Sequence, residues 1–341
     1  MTPLTPFPVA RADDSVKKDI STVTRDIRPD LDRVEEQLET WSRSTNPLTA
    51  EVSRYVLRKR GKRLRPALVL LTSRLFGPGS EEGVFLASLV ELIHTASLIH
   101  DDIIDRAETR RGAESVHSRW GPNITVLLGD YLYIKSIGLS LQSRHDRIIR
   151  LLADVSAEMI EGELDEYAVG GDLAISEEQY LAIIDKKTAS LFSACCRIGA
   201  VLGGASEAEE RHLAEFGRSL GLCFQVVDDL LDFTGDESLL GKPVLSDLAE
   251  GRVTLPLIHI LKTDGRPHRE GIAGLIGRKN ISAGERDRLL GLLTETGALA
   301  YTEAKAGEYA RSALAFLDAF SESRPRRLLA DLTHFVLARN R

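Results

Sequence analysis

Two stretches of this sequence crowd carboxylates together: Leu98-Ile99-His100-Asp101-Asp102-Ile103-Ile104-Asp105 and Val226-Val227-Asp228-Asp229-Leu230-Leu231-Asp232. On a helix, at about 100° per residue, Asp101 and Asp105 share a face with Asp102 close by, and Asp228, Asp229 and Asp232 repeat that geometry. Like charges on one stripe repel, and carboxylates are rarely buried unpaired. A positive charge therefore belongs between the clusters. Oxygen ligands without thiolate or imidazole suit a hard cation such as Mg²⁺, which commonly joins a few carboxylates to phosphate oxygens. A single cluster of this kind is ordinarily a solvated acidic face. Two copies, each embedded in apolar residues, favour a metal site instead.

Cations gather around the same chemistry. Arg58 to Arg65, just before Pro66, carries six of them in eight residues, including Lys62, Arg63 and Arg65. A bare basic run is usually solvated. This one leads into an apolar helix with Pro66 in its first turn, where cations oppose the helix dipole unless an anion is also present. Arg106, Arg110 and Arg111 follow the first acidic cluster. Lys187 lies between apolar residues inside a predicted helix, and Lys242 sits in a loop after the second cluster. Such a mouth suits a diphosphate, because Mg²⁺ and Arg/Lys clamps stabilise charge developing on a departing phosphate group. Cys195, Cys196 and Cys223 have no metal-ligand spacing and read as reduced, cytoplasmic core residues. No Ser-His-Asp arrangement points to covalent catalysis.

The elements that must position these residues read as helices. Apolar residues recur at helical spacing from Val16 to Trp41 (Ile20, Val23, Ile27, Leu31, Val34, Leu38). Further helices are expected over 49–60, 67–76, 82–105, 123–142, 146–167, 176–200, 207–232 and 254–261, and from 282 onward. Ser176 with Gln179 has the form of a capping box. No stretch of five residues alternates as a strand does. The expectation is an all-α fold, a single large helical bundle over residues 17–341 behind a loose tail at 1–16. Its two acidic helices, whose clusters begin 127 residues apart, would face a central cavity. A net charge of −7 leaves no nucleic-acid footprint. Met1 to Asp14 lacks the basic start and apolar core of a secretory signal, and no membrane span is expected.

Taken in order, Gly61-Lys62-Arg63-Leu64-Arg65-Pro66, His94 to Asp105, Arg110-Arg111-Gly112, Gly129-Asp130-Tyr131-Leu132, Lys187-Thr188-Ala189, Phe224 to Asp232, Gly241-Lys242-Pro243 and Gly251 to Pro256 closely resemble the trans-isoprenyl diphosphate synthase family, most like its long-chain polyprenyl members. The resemblance spans roughly residues 30–341 and implies an isoprenoid-synthase bundle, usually a homodimer. It implies several Mg²⁺ ions held by Asp101, Asp105 and Asp228, with Asp102, Asp229 and Asp232 assisting. Arg110, Lys187, Thr188, Gln225 and Lys242 would hold an allylic diphosphate; Lys62, Arg65, His94 and Arg111 would hold isopentenyl diphosphate. The allylic carbon–oxygen bond would ionise, the isopentenyl double bond would attack, and the departing diphosphate would take the proton. The sequence departs from the family pattern at Lys59-Arg60, where a small residue and glycine are usual, and at Leu245, where glycine is usual.

Product length follows from what lies behind the first cluster. Residues 82–100 give about 28 Å of helix, and a five-carbon unit is roughly 5 Å long. In the family, bulky aromatics four or five residues before the first cluster stop growth; here Ser97 and Ala96 stand there, which implies a long product of roughly thirty to fifty carbons. Gly217 and Gly221 fit an open tunnel or close helix packing equally well, and Phe85, Phe192 or Phe224 would serve as a floor. The rival readings are a short-chain farnesyl or geranylgeranyl diphosphate synthase, a terpene cyclase, and a non-catalytic subunit of a heteromeric synthase. A long apolar product would bring the enzyme near membranes.

Overall fold

A computed structural model describes residues 20–58, 61–110, 112–235, 244–263, 266–278 and 280–340. The tail at 1–16, Lys59, Arg60, Arg111 and Lys242 lie outside the described residues.

The long amphipathic helix expected from Val16 is broken. A single turn, α1 (Ile20–Val23), and a 3₁₀ turn (Arg25–Ile27) precede α2 (Arg28–Trp41). Thr24 Oγ1 bonds back to the Ile20 carbonyl at 2.9 Å, and Pro29, which lacks an N–H, starts the new helix. The apolar stripe nevertheless runs on through the break, with Val23, Ile27, Leu31, Val34 and Leu38 all buried. Asn46 caps α3 (Pro47–Leu57), which is followed by α4 (Leu64–Ser73) and α5 (Glu81–Ile104). Helix α5 is long and apolar enough to cross a membrane, but 72% of its most apolar window is buried inside the protein. It is a core helix, whose polar C-terminal turn carries the first acidic cluster.

After α5 the chain makes a small antiparallel hairpin, β1 (Thr109–Arg110) with β2 (Ala113–Glu114), turning at Gly112 with φ of 71°. These two-residue strands fall below any length at which alternation is readable. Helices α6 (Val116–Ser140), kinked at Gly121-Pro122, and α7 (Asp146–Ala168) follow. Helix α8 (Glu177–Ile184) starts from the expected capping box: Ser176 Oγ accepts from Gln179 N at 3.1 Å and Gln179 Oε1 accepts from Ser176 N at 2.9 Å. A π-helical turn (Asp185–Ala189) joins it to α9 (Ser190–Gly203). Helix α10 (Glu207–Thr234) delivers the second acidic cluster. The short α11 (Ser246–Ala249) leads to α12 (Leu255–Thr263), α13 (Arg266–Ala273), α14 (Ala283–Glu295), α15 (Ala298–Leu317) and α16 (Arg324–Leu337).

One continuous apolar core ties these helices together. Helix α10 packs chiefly on α9 and α15, α4 on α9, and α5 on α6. The glycines of α10 show how closely it sits on α9. A Cβ at Gly217 would lie 2.5 Å from the Phe192 carbonyl oxygen, and one at Gly221 would lie 2.6 Å from Ala189 Cα. Close helix packing, not an open tunnel, is what Gly217 and Gly221 serve.

Candidate active site

The two acidic clusters meet. Asp101 and Asp105 from α5, Asp228, Asp229 and Gln225 from α10, Lys187 from the π-turn and Arg110 from the hairpin line one cavity of about 180 Å³. It opens into a larger cavity of about 1950 Å³, above the range of ordinary small-molecule pockets, lined also by Arg65, His94, Ser97 and Thr188. Two of the inner cavity's carboxylates are held back from ionising. Burial, with Glu163 nearby, pushes the Asp101 carboxyl up to about 7. Burial, with Asp247 nearby, pushes Asp229 up to about 8. In both cases burial acts first and neighbouring negative charge adds to it.

Among the described residues, no three Asp, Glu, His or Cys side chains converge as a preformed metal cage. The inner cavity's possible ligands are carboxylate oxygens with no thiolate or imidazole, a donor set that suits a hard cation such as Mg²⁺. Asp101, Asp105 and Asp228 stand on the wall of both cavities.

The six aspartates do not act alike. Asp102 is buried and lines neither cavity; its Oδ1 accepts from Arg110 Nε at 2.7 Å and Nη2 at 2.6 Å. It holds an arginine at the cavity wall. Asp232 is also fully buried and lines neither cavity. Its Oδ1 accepts from Ser246 Oγ at 2.6 Å and Ser246 N at 3.1 Å, and its Oδ2 from Asp247 N at 3.1 Å. Asp232 thus pins the start of α11, an anchoring role that equal spacing along a helix does not reveal. Asp229 accepts from the Tyr180 hydroxyl at 2.6 Å and Gln225 Nε2 at 2.8 Å.

Lys187 reaches inward because of the π-turn. The wide turn packs against Gly162, where a Cβ would lie 2.6 Å from Lys187 N. Lys187 Nζ lies 2.7 Å from Glu163 and 2.5 Å from Glu166. Burial disfavours its charge, but Glu166, Glu163 and Asp101 outweigh that and hold it protonated well above the usual lysine range. Neighbouring Thr188 donates from Oγ1 to Gln225 Oε1 at 2.8 Å.

A second group of cations lies further along the large cavity. Arg65 Nη1 is 2.9 Å from His94 Nε2, and its guanidinium lies 4.9 Å over the Phe192 ring. Lys62 lies over Phe335 and lines neither cavity. Arg63, counted with the basic run, turns away: its guanidinium is buried against Glu35 (2.6 Å) and Glu91 (2.5 Å), and its backbone is left-handed at φ of 51°. Of the chain-length positions, Ser97 lines the large cavity, whereas Ala96 is fully buried in the core. Phe85 packs edge-on against Trp41 and Phe192 is buried, so of the three aromatics weighed as a floor only Phe224 reaches the cavity.

Several site residues escaped sequence reasoning. Arg252 joins Asp105 (2.9 Å) and Asp247 (2.9 Å) across the cavity. Arg339, from a 3₁₀ turn at the C-terminal end, reaches Asp228 Oδ1 at 3.2 Å and lies 4.5 Å over Phe224. Glu163, Glu166 and Tyr180 complete the wall. The i, i+3 spacing of Glu163 and Glu166 was the one local signal. Leu245, the departure from glycine, has φ of 59°, a conformation that costs a non-glycine residue about 1–2 kcal/mol, while its side chain is buried.

Residues 46–293 match the family model described as polyprenyl synthetase. The chain belongs to that family. Among curated polyprenyl synthetase relatives, the octaprenyl diphosphate synthase of Haemophilus influenzae is 34% identical over 315 residues, covering 92% of this chain and 94% of the relative. A short chain isoprenyl diphosphate synthase of Methanothermobacter thermautotrophicus is 36% identical over 309 residues, covering 88% and 93%. Identity therefore does not separate long from short products. The solved polyprenyl synthase of Caulobacter crescentus, complexed with calcium and isoprenyl diphosphate, superposes with a TM-score of 0.90 at 33% identity, covering 96% of this chain and 99% of that one.

Proposed function

We propose that this chain is a Mg²⁺-dependent trans-prenyltransferase that adds isopentenyl diphosphate to an allylic diphosphate and releases a long-chain polyprenyl diphosphate. The observation that carries this reading is the convergence of Asp101, Asp105, Asp228, Lys187 and Arg110 on one small cavity that opens into a much larger one. Asp101, Asp105 and Asp228 would hold Mg²⁺, whose charge offsets that of the departing diphosphate. Arg110, fixed by Asp102, and Lys187 hold the diphosphate oxygens at the wall, and Arg252 stands on the opposite side. Thr188 and Gln225 present oxygens beside the breaking carbon–oxygen bond. Arg65 and His94 sit where the second diphosphate would bind, with Arg339 near. The allylic bond breaks, the isopentenyl double bond attacks the cation, and the departing diphosphate takes the proton.

The growing chain would run along Ser97, Leu98, Tyr133, Met159 and Ile160. Small Ser97 leaves that wall open, which supports a product of more than twenty carbons. A homodimer is the assembly we favour. Leu127 and Ile134 of α6 and Leu141 at its C-cap stand at seven-residue spacing and are 63–69% exposed, with Leu164 of α7 also exposed, a stripe suited to covering by a second copy. The three cysteines are buried and free, in keeping with a cytoplasmic location. Purified protein incubated with Mg²⁺, labelled isopentenyl diphosphate and farnesyl diphosphate should give a ladder ending beyond twenty carbons. A ladder stopping at twenty would support the short-chain reading, and no condensation with any allylic primer would refute the enzyme.

A further inference from the structure

We propose that Tyr180 is a positioning residue for prenyl transfer, setting through Asp229 which end of the Gln225 amide faces Thr188. The inference rests on the prenyltransferase reading above. A glutamine amide has an acceptor end and a donor end of nearly equal shape, so its surroundings must choose between them. Here the choice is made from the inner cavity, whose wall Tyr180 shares with Asp229 and Gln225. Tyr180 is 4% exposed, and its hydroxyl donates to Asp229 Oδ2 at 2.6 Å. A phenol has one proton to give, and giving it to Oδ2 leaves Oδ1 of the ionised Asp229 carboxylate an acceptor as well. Oδ1 accepts from Gln225 Nε2 at 2.8 Å, which turns the amide NH₂ inward. Oε1 is thereby turned outward to accept from Thr188 Oγ1 at 2.8 Å. Thr188 spends its only hydroxyl proton in that bond, so lone pairs are what it offers the cavity that it lines with Gln225.

The result is a fixed edge of acceptor oxygens beside the site where positive charge develops, already oriented before reaction. Without the Tyr180 hydroxyl, buried Asp229 Oδ2 lacks its donor, and burial makes that loss costly. The Gln225 amide then becomes the donor sought by both carboxylate oxygens, and Oε1 moves off Thr188. Tyr180 acts through two intervening side chains, Asp229 and Gln225.

The test is a double-mutant cycle on the full chain with Mg²⁺, isopentenyl diphosphate and farnesyl diphosphate, comparing wild type, Y180F, Q225L and Y180F/Q225L. Y180F should lower kcat about tenfold in the wild-type background, with KM values within twofold, and should change kcat less than twofold when added to Q225L. Equal losses in the two backgrounds, or no loss in wild type, would overturn the role of Tyr180 while wild-type turnover kept the prenyltransferase reading intact. A wild-type chain without turnover would overturn both. Should Y180F fail to fold, fluorotyrosines incorporated at position 180 keep ring and hydroxyl while altering donor strength. kcat should then follow the degree of fluorination, and a flat series would overturn the proposal.

Discussion

Arg110 Nε donates to Asp102 Oδ1 at 2.7 Å, and this bond divides the first acidic cluster by role. Asp101 and Asp105 face the cavity; Asp102 faces an arginine. Asp102→Asn should therefore act on substrate binding, raising KM for the allylic diphosphate about tenfold, the scale of one charge-assisted bond, with kcat reduced less. Asp101→Asn and Asp105→Asn should each lower kcat by about a hundredfold or more. Steady-state kinetics of the three variants at saturating Mg²⁺ checks the division; equal kcat losses for all three would refute it.

The second cluster divides in the same way. Asp232 holds the start of α11 through Ser246 and Asp247, so Asp232→Ala should cost about 2–4 kcal/mol, by leaving buried donors unmatched. Asp228→Ala, at a half-exposed wall position, should leave stability within about 1 kcal/mol and lose turnover instead. Urea denaturation of both variants separates the two roles.

Arg63 is a structural cation inside a basic run. Replacing it by Met strands Glu35 and Glu91 without their shared partner, a loss of about 3–5 kcal/mol. Lys62→Met, a few ångströms along the chain but exposed, should change stability by less than about 0.5 kcal/mol. Thermal melts of the pair distinguish them directly.

Ser97 and Ala96 also separate. Ser97 lines the large cavity, so Ser97→Phe should shorten the product to twenty carbons or fewer while the protein stays folded. Ala96 is fully buried, so Ala96→Tyr must overpack the core, at a cost of about 1–3 kcal/mol. Product chromatography beside a thermal melt reads both.

The helices and the capping box at Ser176 were legible because each depends on residues a few positions apart; the pairing of the acidic clusters, 127 residues apart, was legible because both crowd like charges that need a shared cation. Asp102 and Asp232, expected to assist in holding the metal, each meet a partner that equal spacing on a helix does not reveal: Arg110 from the hairpin and Ser246 from the start of α11. Lys187 turned inward because of a π-turn, a one-residue insertion into helical winding that apolar periodicity does not register. Arg252, Arg339 and Tyr180 meet partners 49 to 147 residues away, and only tertiary packing brings those pairs together. Arg63 shows the converse failure, since composition groups it with phosphate-binding neighbours from which a left-handed backbone turns it away.

In the proposed reaction both acidic helices share one diphosphate through Mg²⁺. Calorimetric titration with a non-ionising thio analogue of farnesyl diphosphate, with and without Mg²⁺, decides whether they do. Binding should require Mg²⁺ and should weaken at least about tenfold in both Asp101→Asn and Asp228→Asn. Binding that is indifferent to Mg²⁺, or that survives intact in either variant, would contradict a shared site.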